Sequence, residues 1–279
     1  MSVLHLDQLQ SDLPQLKVAF ASARPFPHVV LHEAIVPAVL AQAHDAFPPA
    51  DAPLWTHYRH ANERKQGSPR RALYPPVLQQ LIRALQGPAF VAWLQELTGE
   101  PGLFADPSLE GAGLHMSERG GFLNVHTDFQ RHHHHPTWRR TVNLILFLNP
   151  DWDPSWGGAI ELWNAEMSAC EVKVSPLANR AVIFRSDHRS FHGHPEPLAC
   201  PPHRQRRSLA LYYYTHHDGV LPHEHSRFAP RPGDSLAKRV VLRVDNHLVQ
   251  GFSQLKRWGL SSDRAASRVL KRLDGLRRK

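Results

Sequence analysis

Over residues 109–216 the chain is built from short runs of β-branched and aromatic residues: GLHMS, FLNVHTD, TVNLILFLN, AIELW, EVKV, AVIFR and RSLALYYYT. Gly, Pro, Asn and Asp separate them at intervals of about ten residues, the pattern of an all-β barrel or sandwich. The residues before them read differently. Residues 25–49 give a short apolar extended segment and then a helix, because Ile35, Val39, Leu40 and Ala43 recur at helical spacing before a Pro pair. Residues 77–85 and 88–97 give two further helices, the second closed by Gly99. Between these, THYRHANERKQGSPRR reads as a polar, basic loop. The expected organisation is helical support over 1–108, a β-core over 109–216 and a basic helical extension over 217–279.

Charge separates the body from the tail. Residues 1–230 hold 20 Lys/Arg against 21 Asp/Glu, whereas 231–279 hold 13 against 4. A near-neutral body argues against a nucleic-acid groove through the main domain. In the tail, Ala266, Val269, Leu270, Leu273 and Leu276 form an apolar stripe opposite Arg264, Arg268, Lys271, Arg272 and Arg278, and residues 241–258 repeat this more loosely. Such a helix either buttresses the barrel with a solvated face or meets an acidic partner or anionic membrane surface through residues 231–279. No run reaches the roughly 18 uncharged apolar residues of a membrane span. The first residues lack the basic start and apolar block of a secretory signal, so a cytoplasmic location is expected. The two cysteines, Cys170 and Cys200, form neither a disulfide framework nor a zinc knuckle pattern.

The chain holds 21 histidines, and five of them fall between Asn124 and Trp138. His126 and Asp128 stand two apart on an expected strand, so both side chains leave from one face and offer two metal ligands without distortion. A third must come from a distant strand, and RSDHRSFHGHPEPL supplies His188, His192 and His194 as candidates. Gly193 leaves room there for close backbone passage. Two histidines and a carboxylate with open positions make the facial triad that suits non-haem Fe(II). Farther on, Arg206 opens a strand and places a guanidinium inside the barrel, able to hold a dicarboxylic acid by two prongs, with Ser208 on the same face. Arg131, Arg139 and Arg140 read as loop cations, solvated or facing an anionic substrate group.

In order, HTD, TVNLILFLN, WGGAIELW, VSPLANRAVIF, SFHGHPEPL and RRSLALYYYT resemble the catalytic core of the iron(II)- and 2-oxoglutarate-dependent dioxygenases of the prolyl 4-hydroxylase type. The likeness covers about residues 110–216. It implies a mainly β fold with flanking helices, a double-stranded β-helix (jelly-roll) core behind N-terminal support helices. It implies that His126, Asp128 and His192 bind Fe(II), and that Arg206 binds the distal carboxylate of 2-oxoglutarate. It also implies that dioxygen and 2-oxoglutarate yield succinate and CO2 while an unactivated C–H bond is hydroxylated. The Asp128 carboxylate favours hydroxylation over halogenation, which needs a small residue there.

Two departures follow from the same alignment. The family's cosubstrate-contacting Tyr is replaced at the matching place by Ser117, which leaves His115, two residues earlier on that face, or Asn143, on the next strand, to take its part. Arg206 stands where peptide prolyl hydroxylases often have Lys, which points to another subgroup. The expected substrate is a small molecule, amino-acid unit or peptide, prolyl residues among them, with a sugar or glycolipid component or a non-catalytic metal-binding barrel as the alternatives. His132, His133, His134 and His135 fall in the loop bordering the site's mouth in such enzymes, either as a lid or as an exposed polar loop.

Overall fold

The computed structural model describes residues 2–240 and 242. Apart from Leu242, the tail stripes expected over 241–258 and 261–276 lie outside the described residues. The helices are α1 (Leu6–Ser22), α2 (Pro37–Asp45), α3 (Pro76–Leu85) and α4 (Pro88–Thr98). The strands are β1 (His28–His32), β2 (Thr56–His60), β3 (Glu63–Ser68), β4 (Phe104–Ala105), β5 (Gly113–Ser117), β6 (Phe122–Thr127), β7 (Trp138–Phe147), β8 (Ile160–Trp163), β9 (Cys170–Val174), β10 (Arg180–Arg185), β11 (Phe191–His194), β12 (Arg206–His216) and β13 (Arg227–Phe228).

The hydrogen-bonded order β1-β10-β7-β12-β5-β3-β6-β11-β8-β9 is antiparallel throughout and folds over on itself as a jelly-roll, the core expected from the strand pattern. Period-two alternation decides what each face meets. Along β7, Val142, Leu144 and Leu146 point outward, as do Leu209, Leu211 and Tyr213 of β12, and all pack in one apolar cluster with the helices. The helices answer with Leu78, Leu81, Ile82 and Leu85 of α3 and Phe90, Trp93, Leu94 and Leu97 of α4, all at helical spacing. Tyr213 reaches far enough to donate its hydroxyl to the Leu85 carbonyl at 2.9 Å. Each such side chain, moved from water, contributes about 1.5–3 kcal/mol. Pro37, Pro76 and Pro88 each start a helix where a missing N–H costs nothing, and Gly99, at φ 67°, ends α4.

The inner faces close differently. Phe147, Ile160, Leu162, Val174, Val182 and Phe184 fill one end of the barrel with an apolar plug. At the other end the inward side chains are polar, and a cavity of about 530 Å³ opens between β5, β6, β11 and β12.

The segment read as a polar loop is the β2–β3 hairpin, and β3 joins both β5 and β6. Its inward residues, Glu63 and Lys65, line the cavity, so the apolar alternation that would announce a strand is missing. α1 is a second element without a prior signal; it docks on α4, where Trp93 Nε1 donates to the Leu9 carbonyl at 2.9 Å. Past β12 the chain returns to the cavity, with Arg227 and Phe228 of β13 paired to Thr127 and His126 of β6. Helix begins only at residues 236–240.

Candidate metal centre

β6 and β11 are neighbours, and their ladder sets His126 directly opposite His192. Asp128 follows the last residue of β6 and turns its carboxylate between the two rings. His126 Nε2 lies 3.4 Å from Asp128 Oδ1, and His192 Nε2 lies 3.4 Å from Oδ2. The other ring nitrogens are tied back: His126 Nδ1 to the Asn124 carbonyl at 2.9 Å and His192 Nδ1 to the Ser190 carbonyl at 3.0 Å. A carbonyl only accepts, so each Nδ1 carries the proton and each Nε2 presents a lone pair to the centre. Burial pushes the His192 imidazole down to about 4, against the pull of Asp128, so it is neutral at physiological pH. Among the described residues this is the one group whose ligand atoms, all within 4.8 Å of one another, could hold a metal ion. Two imidazoles and a carboxylate on one side, with the cavity on the other, fit the facial geometry of Fe(II).

Burial alone would raise the Asp128 pKa, but the Arg140 guanidinium beside it, helped by His192 and His126, holds the carboxyl well below the usual carboxylate range. Arg140 is no loop cation. It lies on β7, is 1% exposed, and sets its guanidinium 2.8 Å from Asp128 Oδ2. The face of Tyr212 lies 3.2 Å from that guanidinium, with Phe129 at 4.8 Å. Asn143 completes the arrangement, donating Nδ2 to Asp128 Oδ2 and accepting from Arg140 Nε, both at 2.8 Å. Asn143 therefore orients the candidate ligand, and it also lines the cavity.

Arg206 enters the same cavity from β12, with Ser117 opposite it on β5 and the pair Ser208 and His115 two steps along the ladder, on the same face. Its Nε donates to the Gly158 carbonyl at 2.6 Å. Gly158, at φ 79°, leaves the space: a Cβ there would sit 3.1 Å from Arg206 Cδ. Burial, unopposed by any carboxylate among the described residues, pushes Arg206 down to about 9. A buried cation without a counter-charge is what a site for an organic acid requires. His115 is pushed to about 3 by burial and then by Lys65, which leaves a neutral imidazole on the cavity floor. His194 is buried in the same cavity, outside the group of three, and His188 is exposed in a turn.

The four-histidine run divides. His132 is 1% exposed and accepts backbone N–H groups of His134 and His135 at Nδ1, which puts its proton on Nε2, 3.5 Å from Asp106. It is a packed pillar beside Tyr214. His133 lines the cavity's mouth, while His134 is largely exposed.

Gly193 has a steric task. A Cβ there would stand 2.8 Å and 2.9 Å from the Leu123 and Asn124 carbonyl oxygens of β6. Gly193→Ala therefore pries β11 from β6, and with it His192 from His126. The expected cost is about 1–3 kcal/mol of stability, read by denaturant unfolding, with weaker binding of Fe(II).

Residues 112–214 match the family model described as the 2OG-Fe(II) oxygenase superfamily. Among solved structures, the chain is similar to a prolyl hydroxylase from Trichoplax adhaerens in complex with a hypoxia-inducible-factor oxygen degradation domain peptide fragment. That match has a TM-score of 0.52 and 16% identity, and covers 74% of this chain and 92% of that one. A prolyl 4-hydroxylase from Pseudomonas putida matches at TM-score 0.49 and 20% identity over 72% of this chain and all of that one. No curated protein sequence matches the chain.

Proposed function

We propose, from the premise that this chain belongs through residues 112–214 to the 2OG-Fe(II) oxygenase superfamily, that it hydroxylates an unactivated C–H bond of a small-molecule, amino-acid or peptidyl substrate. The observation that carries this reading is the pairing of two features on one cavity: the His126, Asp128 and His192 group, and a buried Arg206 with no carboxylate partner among the described residues. A passive metal-binding barrel would need the first and not the second.

Fe(II), held by His126, Asp128 and His192, would supply the activation of dioxygen, the oxidant, one oxygen atom of which would go to succinate as 2-oxoglutarate loses CO2 and the other to the substrate as a hydroxyl. The rest is the work of this chain's residues. His126 and His192 offer Nε2 and Asp128 a carboxylate oxygen, each held by a hydrogen bond on its far side. Arg206 takes the distal carboxylate of 2-oxoglutarate, with Ser208 and neutral His115 lining the same floor. Ile145, Ile160 and Phe228 wall the cavity and keep water from the reacting centre. The volume of about 530 Å³ suits a small molecule or one side chain of a peptide, a prolyl ring among them.

The test is Fe(II)-dependent conversion of 2-oxoglutarate to succinate, together with the gain of one oxygen atom by the substrate. Arg206→Leu removes two charge-assisted hydrogen bonds worth about 1.5–3 kcal/mol each, and the KM for 2-oxoglutarate is expected to rise about 100-fold or more. Apo stability should hold or increase, because an uncompensated buried cation has gone. An unchanged KM in that variant would overturn the assignment of Arg206.

A further inference from the structure

His194 lines the cavity and is 5% exposed, yet it belongs neither to the metal centre nor to the hydrogen bond that anchors Arg206. Its Nδ1 is shut in without a hydrogen-bond partner among the described residues. His126 and His192 do the reverse: each gives an Nδ1 proton to a carbonyl, which frees the Nε2 lone pair for a metal. Folded proteins bury an unpaired acceptor more readily than an unpaired N–H. The His194 proton therefore sits on Nε2, the ring nitrogen left to meet what the cavity holds, and it meets it as a donor. That tautomer suits an anion, where the other two histidines suit a cation.

The strand ladder says where that anion lies. β8 runs antiparallel to β11, with His192 opposite Leu162 and Gly193 opposite Glu161. A step from His192 to His194 thus moves away from the metal centre and toward Gly158, whose carbonyl holds Arg206 Nε. Arg206 and Lys65 are the charged side chains that act most strongly on the His194 ring, and both are cations. Lys65 already has Glu63, 3.0 Å from its Nζ, while Arg206 has no carboxylate among the described residues. The acid group that Arg206 lacks and the acceptor that His194 lacks are met by one carboxylate. Ser117, at the place of the family's cosubstrate-contacting Tyr, has a short side chain and leaves such a share of the binding open.

We propose that His194 is a cosubstrate-binding residue, donating Nε2–H to the distal carboxylate of 2-oxoglutarate beside Arg206. The inference rests on the reading of this cavity as a 2-oxoglutarate site and adds to it a neutral donor that a guanidinium alone does not supply. It also gives the two histidines of the β11 strand separate tasks, His192 toward the metal and His194 toward the far end of the acid.

Calorimetry on the full chain, loaded with Fe(II) in the absence of dioxygen, tests this with two probes. One is 2-oxoglutarate; the other is 2-oxovalerate, which keeps the 2-oxo acid end and the chain length but lacks the distal carboxylate. His194→Phe fills the space of the ring without a donor, and it should raise the Kd for 2-oxoglutarate about ten- to hundred-fold, the loss of one hydrogen bond to a charged group. The Kd for 2-oxovalerate and the affinity for Fe(II) should stay as in the parent, which also shows the variant to be folded. His194→Gln, whose amide keeps an N–H, should recover part of the loss. The proposal fails if His194→Phe binds 2-oxoglutarate as the parent does, or if it loses both acids equally, since His194 would then only shape the cavity. Loss of Fe(II) in that variant would make His194 a metal ligand and overturn it as well. A parent protein that binds Fe(II) but no 2-oxoglutarate is a different result, which overturns the reading of the cavity itself.

Discussion

Asp128→Ala should abolish Fe(II)-dependent succinate formation, a fall of about three orders of magnitude or more, given the several kcal/mol of charge stabilisation a bound metal supplies. Two effects act together. The facial group loses its single carboxylate, leaving His126 and His192, which hold a hard divalent ion poorly without an oxygen ligand. Arg140 loses the oxygen it bonds at 2.8 Å and becomes a buried guanidinium with no anion, at a cost of about 3–5 kcal/mol to the fold. Asp128→Asn separates the two, since an amide oxygen still accepts from Arg140 while the ligand charge is gone. That variant should be more stable than Asp128→Ala, because Arg140 keeps an acceptor, yet less stable than the parent, because the anion is gone, and it should still fail to turn over 2-oxoglutarate. Turnover at the parental rate in either protein would remove Asp128 from the ligand set.

Much of this site is legible in the sequence. Strand runs, turn residues and the two-residue spacing of His126 and Asp128 are local properties of the chain, and they place the jelly-roll and half of the metal group. The β2–β3 hairpin was not legible, because its inner face lines a wet cavity with Glu63 and Lys65 in place of apolar side chains. A strand that faces a polar pocket on one side and solvent on the other has no hydrophobic period to read. His132 was hidden for the opposite reason: in a run of four identical residues nothing local marks the one that packs beneath Tyr214.

Arg140 shows how a single ladder irregularity defeats pattern reading. Strict alternation along β7 groups it with Val142, Leu144 and Leu146, which face the helices. The ladder, however, pairs Tyr213 with Val142 and Tyr214 with Arg140, so Thr141 is an extra residue on β7. A bulge of that kind exchanges the faces on its far side and turns Arg140 inward, toward Asp128. A similar shift on β6, where His192 pairs with His126 and His194 with Leu123, brings His194 into the cavity but offsets it from the metal group.

Arg140→Met is therefore the substitution by which that bulge can be weighed. Methionine fills the slot against Tyr212 and Phe129 but leaves Asp128 charged, buried and facing two imidazoles and one amide. The apo protein should lose about 3–5 kcal/mol, because breaking a buried pair strands its remaining charge. In thermal unfolding that is a fall of roughly 10 °C for a chain of this size. Added Fe(II) restores a compensating charge, so the metal-induced rise in Tm should be larger in the variant than in the parent. Turnover with saturating Fe(II) should still fall about 10–100-fold, because Arg140 and Asn143 aim the carboxylate as well as neutralise it. Arg140→Lys keeps the cation and cannot also bond Asn143 Oδ1 through a planar fork, so it should recover apo stability more than turnover. If Arg140→Met instead unfolds and turns over as the parent does, the buried pair positions nothing, and Asn143 alone orients Asp128.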